Sequence, residues 1–357
     1  MKGEILISFT LGLASLLLYN HGRQEPLTVP PTEQEPTVIT DEPDDPHLSL
    51  NWGLEQVHAP AAWKRQKGSR DVIVAVIDTG CDVHHPDLHE NIWRNPGEAG
   101  ANSHNGIDDD GNGFVDDVYG WNFSANTGDV TDEHGHGTHI AGIIGATNGV
   151  APHVSLMILK YFDPEASGLE NLRNTIRAIH YAVKMGADII NYSGGGMIRS
   201  HEEEEALRWA AAQGVLIVAA AGNEGVNTDF SHFYPADYDL PNILSVAAVD
   251  RQEHLLKISN YGMQTVALAA PGKNIYSTLP NGQHGYMTGT SQATAFASGV
   301  AALLIANDPQ MRNPRALIQH LIKYSSRRTA LKGKLRSAGI LDAKMALDGS
   351  DFRQAEN

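Results

Sequence analysis

The chain has 357 residues, 41% of them hydrophobic and 19% charged, enough for one large domain or two small ones. Its 42 acidic side chains outnumber 26 Lys and Arg, and the net charge of −16 argues against a nucleic-acid partner. Cys81 is the single cysteine, so no intrachain disulfide can form and stability must come from a large core, bound ions, or both.

Residues 1–19 begin with Lys2 and continue into an apolar run of about 14 residues, the length of an export-signal core and short for a bilayer span. No small-x-small cleavage site follows. A cleaved signal peptide and an uncleaved N-terminal anchor both stand, and either makes the chain an exported one, secreted or periplasmic. In the second case residues 1–19 attach it to a membrane. Residues 20–46 are rich in proline and acidic side chains and too poor in large apolar ones to offset their ordering entropy, so they read as a disordered linker. One domain is expected over residues 47–348, followed by a frayed tail over 349–357.

Within that domain, residues 72–77 (VIVAVI) form a continuous β-branched run, the pattern of a parallel strand covered on both faces. Residues 154–159, 188–191 and 214–221 repeat it. Helical stretches over 169–185 and 202–213 lie between, the latter with Ser200 as N-cap, acids in its first turn and Gly214 at its stop. The alternation predicts an α/β fold with a mostly parallel sheet and helices on both faces. Residues 312–336 carry eight Lys and Arg and no acid, and read as a solvated basic surface.

In such sheets reactive groups belong at the C-terminal ends of strands and at helix N-termini. Asp78 directly follows VIVAVI. His136 lies in His134-Gly135-His136-Gly137-Thr138-His139, ahead of a small-residue helix over 140–145. Ser291 opens an Ala-rich helix over 292–306 that is apolar nearly all round and therefore buried. An Asp, a His and a Ser so placed are the parts of nucleophilic acyl transfer: the imidazole takes the hydroxyl proton and the carboxylate holds the tautomer. Asn223, after the 214–221 strand, can donate to an oxyanion, with the Ser291 backbone N–H as the second donor. Singly, each segment reads as an ordinary turn or cap. Together, on these elements, chance explains them poorly.

Residues 105–117 (NGIDDDGNGFVDD) interleave glycines with Asp108, Asp110, Asn112, Asp116 and Asp117, an oxygen-rich loop suited to calcium in a structural role. Neither EF-hand register closes. Starting at Asp108 puts Tyr119 at the bidentate position, and starting at Gly106 leaves no first ligand. A solvated acidic loop is the alternative.

The blocks Asp78-Thr79-Gly80, His136-Gly137-Thr138-His139-Ile140-Ala141-Gly142 and Gly289-Thr290-Ser291-Gln292-Ala293 resemble the signatures of the subtilase family, in that family's Asp, His, Ser order. Trp52-Gly53-Leu54, Val150-Ala151-Pro152 and Ser337-Ala338-Gly339-Ile340-Leu341-Asp342-Ala343 extend the likeness over most of the domain. The resemblance implies a three-layer α/β/α subtilisin-like fold with a mostly parallel central sheet. It implies a serine endopeptidase with Asp78, His136 and Ser291 catalytic and Asn223 in the oxyanion hole. It also implies that Ser193, Gly194 and Gly195 pair with the substrate and line the P1 pocket, with Gly222 on another wall. Ser167 and Gly168 match the second substrate-flanking strand. An extended polypeptide would then bind a monomeric enzyme by strand addition.

Several positions depart from that pattern. Gln292, Ala295 and Phe296 stand where the family usually has methionine, proline and histidine. The chain is short between 144 and 150, where many subtilases carry a calcium-binding excursion. Phe233 is expected to narrow the P1 pocket, and Cys81 to be small buried packing rather than a reactive thiol. Residues 20–46 are too short for the folding-assistant prodomain of many secreted subtilases. A catalytically silent peptide-binding protein on the same fold is the main rival reading, and it would need one of the four catalytic parts to be missing. An ester or lipid hydrolase of the Gly-x-Ser-x-Gly type would need a motif and residue order absent here.

Overall fold

The structure, a computed structural model, describes residues 50–354; the export or anchor segment and the linker lie outside the described residues. In chain order the strands are β1 (Ile73–Asp78), β2 (Gly120–Asn122), β3 (Ser155–Lys160), β4 (Ile189–Tyr192), β5 (Leu216–Ala220), β6 (Ile243–Val249), β7 (Leu268–Pro271), β8 (Ile275–Leu279), β9 (Gln283–Met287), β10 (Ser326–Arg327) and β11 (Gly339–Ile340). Nine of them form one sheet in the order β10-β11-β7-β6-β5-β4-β1-β3-β2, parallel throughout except where β10 meets β11.

Alternation along β1 explains its all-apolar sequence. Val74 and Val76 enter one core with the helices His136–Gly145 and Thr290–Asn307, while Ala75 and Ile77 enter a second core with Gly168–Lys184 and His201–Ala212. Both faces of the strand are therefore dry, and the molecule is three layers thick. Ser200 caps its helix as expected, its Oγ accepting from Glu203 N at 3.2 Å.

The order of strands reverses at β1. The chain goes to β3 on one side, then returns across β1 to β4 on the other. Such a reversal opens a crevice at the strand C-termini, and Asp78 is the last residue of β1. Strands β8 and β9 form a separate hairpin against the His136–Gly145 helix. Ser277 Oγ donates to His139 O and Thr278 Oγ1 to Thr138 O, each at 2.8 Å.

Two residues of the basic stretch have acidic partners, Arg312 with Asp188 at 2.7 Å and Arg328 with Glu253, and the other six are exposed, as a solvated basic surface requires. The last helix runs from Ala343 to Gln354, and Ser350 is fully buried, so packing continues past residue 348 into the expected tail. Helix formation wins there because Gly349 lets the chain lie against the Tyr324 ring, which a Cβ would meet at 2.4 Å. Among the described residues no helix is long and apolar enough to cross a membrane.

A small residue brings the Thr290–Asn307 helix against the turn that follows the His136–Gly145 helix. A Cβ built on Gly299 would stand 2.5 Å from Val150 Cβ and 2.8 Å from its Cγ1. Gly299→Ala is expected to destabilise by about 1–3 kcal/mol through overpacking, even though alanine favours a helix. A denaturant midpoint at or above the parent's, at unchanged m, would refute this.

Candidate active site

Asp78 is 3% exposed at the mouth of the crevice. Its Oδ1 accepts from Thr79 N at 2.8 Å and from His136 Nδ1 at 2.7 Å. That bond puts the imidazole proton on Nδ1 and leaves Nε2 as a lone-pair acceptor, the form a general base requires. Burial disfavours the imidazolium, but the charge and hydrogen bond of Asp78, together with Asp132, outweigh it and raise the His136 pKa above its ordinary 6.5. The ring keeps 21% of its surface in solvent, so the desolvation it suffers is partial.

Asp132 holds this arrangement and was not singled out from sequence. Its Oδ1 accepts from Thr79 Oγ1, His134 N and Gly135 N, and its Oδ2 from Thr138 N and Thr138 Oγ1, all between 2.7 and 3.0 Å. It thus supplies the cap that Gly135, the N-cap residue, cannot. Thr79 Oγ1 in turn accepts from Gly137 N at 2.9 Å, which ties the end of β1 to the first turn of the helix. An acid just upstream of a helix start was the available signal.

His139, one turn beyond His136, is fully buried and gives Nε2 to Ile275 O at 3.0 Å. Burial and the neighbouring His136 push its pKa down to about 3, so it stays neutral and structural. Cys81 is also fully buried, and burial beside Asp132, Asp82 and Asp78 pushes its thiol well above its ordinary range. It is packing, not a nucleophile.

Ser291 is 7% exposed in the first turn of its helix, which packs against the helix of His136. Its Oγ donates to Ser193 O at 3.1 Å, and Ser193 Oγ donates to Ser291 O at 3.3 Å. The hydroxyl is thus held by the backbone of the 193–195 segment rather than by His136, and rotation about the single Cα–Cβ bond releases it. Catalytic hydrogen bonds commonly tighten only once substrate is present.

Asn223 Oδ1 accepts from Thr290 N at 2.9 Å and Thr290 Oγ1 at 3.1 Å. Two donors on the oxygen fix which way the amide points. Its NH₂ carries no hydrogen bond to the described residues, and Gly289 leaves space beside it. A donor so placed can receive an alkoxide's charge.

The expected P1 glycines surround an aromatic ring. A Cβ on Gly195 would meet Phe233 Cε1 at 2.7 Å, and one on Gly222 would meet Phe233 Cγ at 2.9 Å; Phe233 is 6% exposed. Gly194 lies over the Tyr161 hydroxyl. Ser167 is the N-cap of the Gly168–Lys184 helix, its Oγ accepting from Glu170 N at 3.2 Å, so its hydroxyl is committed while its backbone remains extended.

The acidic loop divides. Asp108 accepts from Asn112 N and Gly113 N, and Asp110 from Asn95 Nδ2 and from both nitrogens of Asn112. Asp116 instead accepts from Asn105 N and Gly106 N. Asp117 is fully buried and satisfied by Asn95, Asn112 and the Tyr181 hydroxyl. The carboxylates that offer oxygens within 4.8 Å of one another are Asp108, Asp110 and Glu98, the last from outside the expected loop.

A family profile described as the subtilase family matches residues 69–342. The major intracellular serine protease of Bacillus subtilis is 38% identical over 260 residues, covering 71% of this chain and 74% of the relative. Thermitase of Thermoactinomyces vulgaris is 34% identical over 286 residues, covering 78% and 90%. Among solved structures, that of a lanthipeptide protease superposes with a TM-score of 0.69 at 24% identity, over 85% of this chain and 95% of the other, a likeness of fold.

A neutral imidazole accepts protons, so hydrolysis should rise with pH along a limb centred above 6.5. In Asp78→Asn the midpoint should move down and the rate fall on the order of 10⁴-fold. A limb unmoved by the substitution would show that Asp78 does not act on His136. By linkage, the raised folded-state value contributes stability below 6.5 that is lost as pH climbs through it.

Proposed function

The chain belongs to the subtilase family and is a serine endopeptidase, and we propose that it cuts extended polypeptide through an acyl-enzyme formed on Ser291. The single observation that supports this most is the Asp78–His136 bond, which leaves Nε2 unprotonated beside the helix that carries Ser291. His136 Nε2 takes the Ser291 proton as Oγ attacks the scissile carbonyl carbon. The resulting oxyanion accepts from Asn223 Nδ2 and Ser291 N. His136 then returns the proton to the leaving amine, the C–N bond breaks, and a water molecule repeats the sequence to free the acid. The catalytically silent reading would need one of these four residues to be missing, and all are present.

The substrate is proposed to add as a strand between the 193–195 segment and the backbone at Ser167 and Gly168. Phe233, packed between Gly195 and Gly222, makes the P1 pocket shallow and favours small P1 side chains. Calcium is proposed as a structural ion of the acidic loop. Export is proposed from residues 1–19, although two relatives are named intracellular.

Ser291→Ala should lose on the order of 10⁶-fold in kcat, the size of effect known for subtilisin, a member of this family. Retention of more than a small fraction of parental cleavage of a denatured protein would remove Ser291 from the nucleophile's role. Phe233→Gly should raise kcat/KM for peptides with large apolar P1 residues by roughly 10- to 200-fold relative to alanine at P1. An unchanged ratio would take Phe233 out of the pocket floor.

A further inference from the structure

Glu98 closes a short helical turn at Pro96–Glu98, seven residues upstream of the acidic loop, and is fully buried. Its Oε1 accepts from Asp109 N at 2.7 Å. Its Oε2 is buried with no hydrogen-bond partner. A carboxylate oxygen out of water and without a donor is costly, and native proteins retain one where a ligand completes it. Glu98 faces Asp108 and Asp110, the three offering oxygens within 4.8 Å of one another. Gly97 permits the approach, since a Cβ there would stand 2.4 Å from Asp110 Cβ.

The electrostatics point the same way. Among the described residues no Lys, Arg or His forms an ion pair with Glu98, Asp108 or Asp110. Three acidic groups converge on one point with no protein cation to offset them. We infer that Glu98, Asp108 and Asp110 together hold a calcium ion, with Glu98 as the buried ligand that joins the 96–98 turn to the loop. This rests on the calcium reading of the loop and corrects its ligand set. Asn112 and Asp117 position the ligands by hydrogen bonds, and Asp116 shapes the turn at Asn105 and Gly106.

The donor set fits a hard cation with irregular coordination. All three ligands are carboxylates, and calcium takes roughly six to eight oxygens in flexible geometry. Asp110 is exposed, so water can complete the shell from the open side. Magnesium, which demands near-octahedral geometry and sheds water reluctantly, suits this loop less well. The ion would tie the 96–98 turn to the segment leading into β2, in a chain with no disulfide to do so.

The test uses full-length protein carrying Ser291→Ala to prevent self-digestion, with calcium titrated calorimetrically and melting followed in calcium and in EDTA. Glu98→Gln should weaken calcium binding at this site at least tenfold and remove its share of the calcium-induced rise in Tm. In EDTA the same variant should melt no lower than its parent, because it removes a buried charge that lacks a counter-ion. Asp110→Asn, at an exposed position, should give the same loss of binding and covers the case in which Glu98→Gln does not fold. Asp116→Asn should bind as the parent does. A Glu98→Gln protein that melts lower by the same amount in both buffers, with its titration unchanged, would overturn the assignment of Glu98 and leave the calcium reading standing. A parent and an Asp108→Asn variant with identical calcium uptake would overturn both.

Discussion

Two buried carboxylates, Asp78 and Asp132, meet at the end of β1 through Thr79, and the rest of the site is built to satisfy their oxygens. Each is 3% exposed. A buried ion left unpaired would destabilise by about 3–5 kcal/mol. Asp132 avoids this by collecting donors from both the β1 end and the start of the His136 helix. Asp78 does so with Thr79 N and the imidazole itself. The bond that fixes the His136 tautomer is thus also one that stabilises a buried charge. Catalytic geometry and local stability share the same hydrogen bonds, so a change that relaxes one relaxes the other.

The parallel sheet supplies the position. Because the strand order reverses at β1, the C-terminal ends of β1, β4 and β5 open toward one crevice; Asp78 ends β1, and Ser193 and Asn223 lie just past β4 and β5. Ser291 arrives from a different direction, on a helix that lies against β4, β5 and β6. The β8–β9 hairpin then rests on the His136 helix and takes up His139 and the carbonyls of residues 138 and 139. The hairpin therefore braces the helix that carries His136, while the end of β1 holds its imidazole through Asp78.

Much of this was legible in the residues. The β-branched run at 72–77 lies within one residue of β1, and the helices over 169–185 and 202–213 within about one residue of those observed, because buried parallel strands and capped helices mark themselves locally. The β8–β9 hairpin was missed although Asn281 and Gly282, both at positive φ, announce its turn. Asp132 and Glu98 were missed for a different reason. Each acts through partners distant in sequence or through the absence of one, and no periodicity records that. The acidic loop shows the limit most clearly. Its composition names the oxygen donors, but which way each side chain turns depends on Asn95, Asn112 and Tyr181, and only folding decides it.

The helix that bears Ser291 is buried at every position from Thr290 through Ile305. It cannot swing out or fray locally without opening the largest core of the molecule. Loss of Ser291's placement and loss of the whole fold are then one event, and half-active conformers have no place on the path between them. If the proposed preference for extended polypeptide holds, the enzyme's own globally unfolded copies are a substrate it meets. Self-destruction in a stock solution should therefore be bimolecular, accelerating with concentration and following the small population of open molecules rather than any breathing of the active centre.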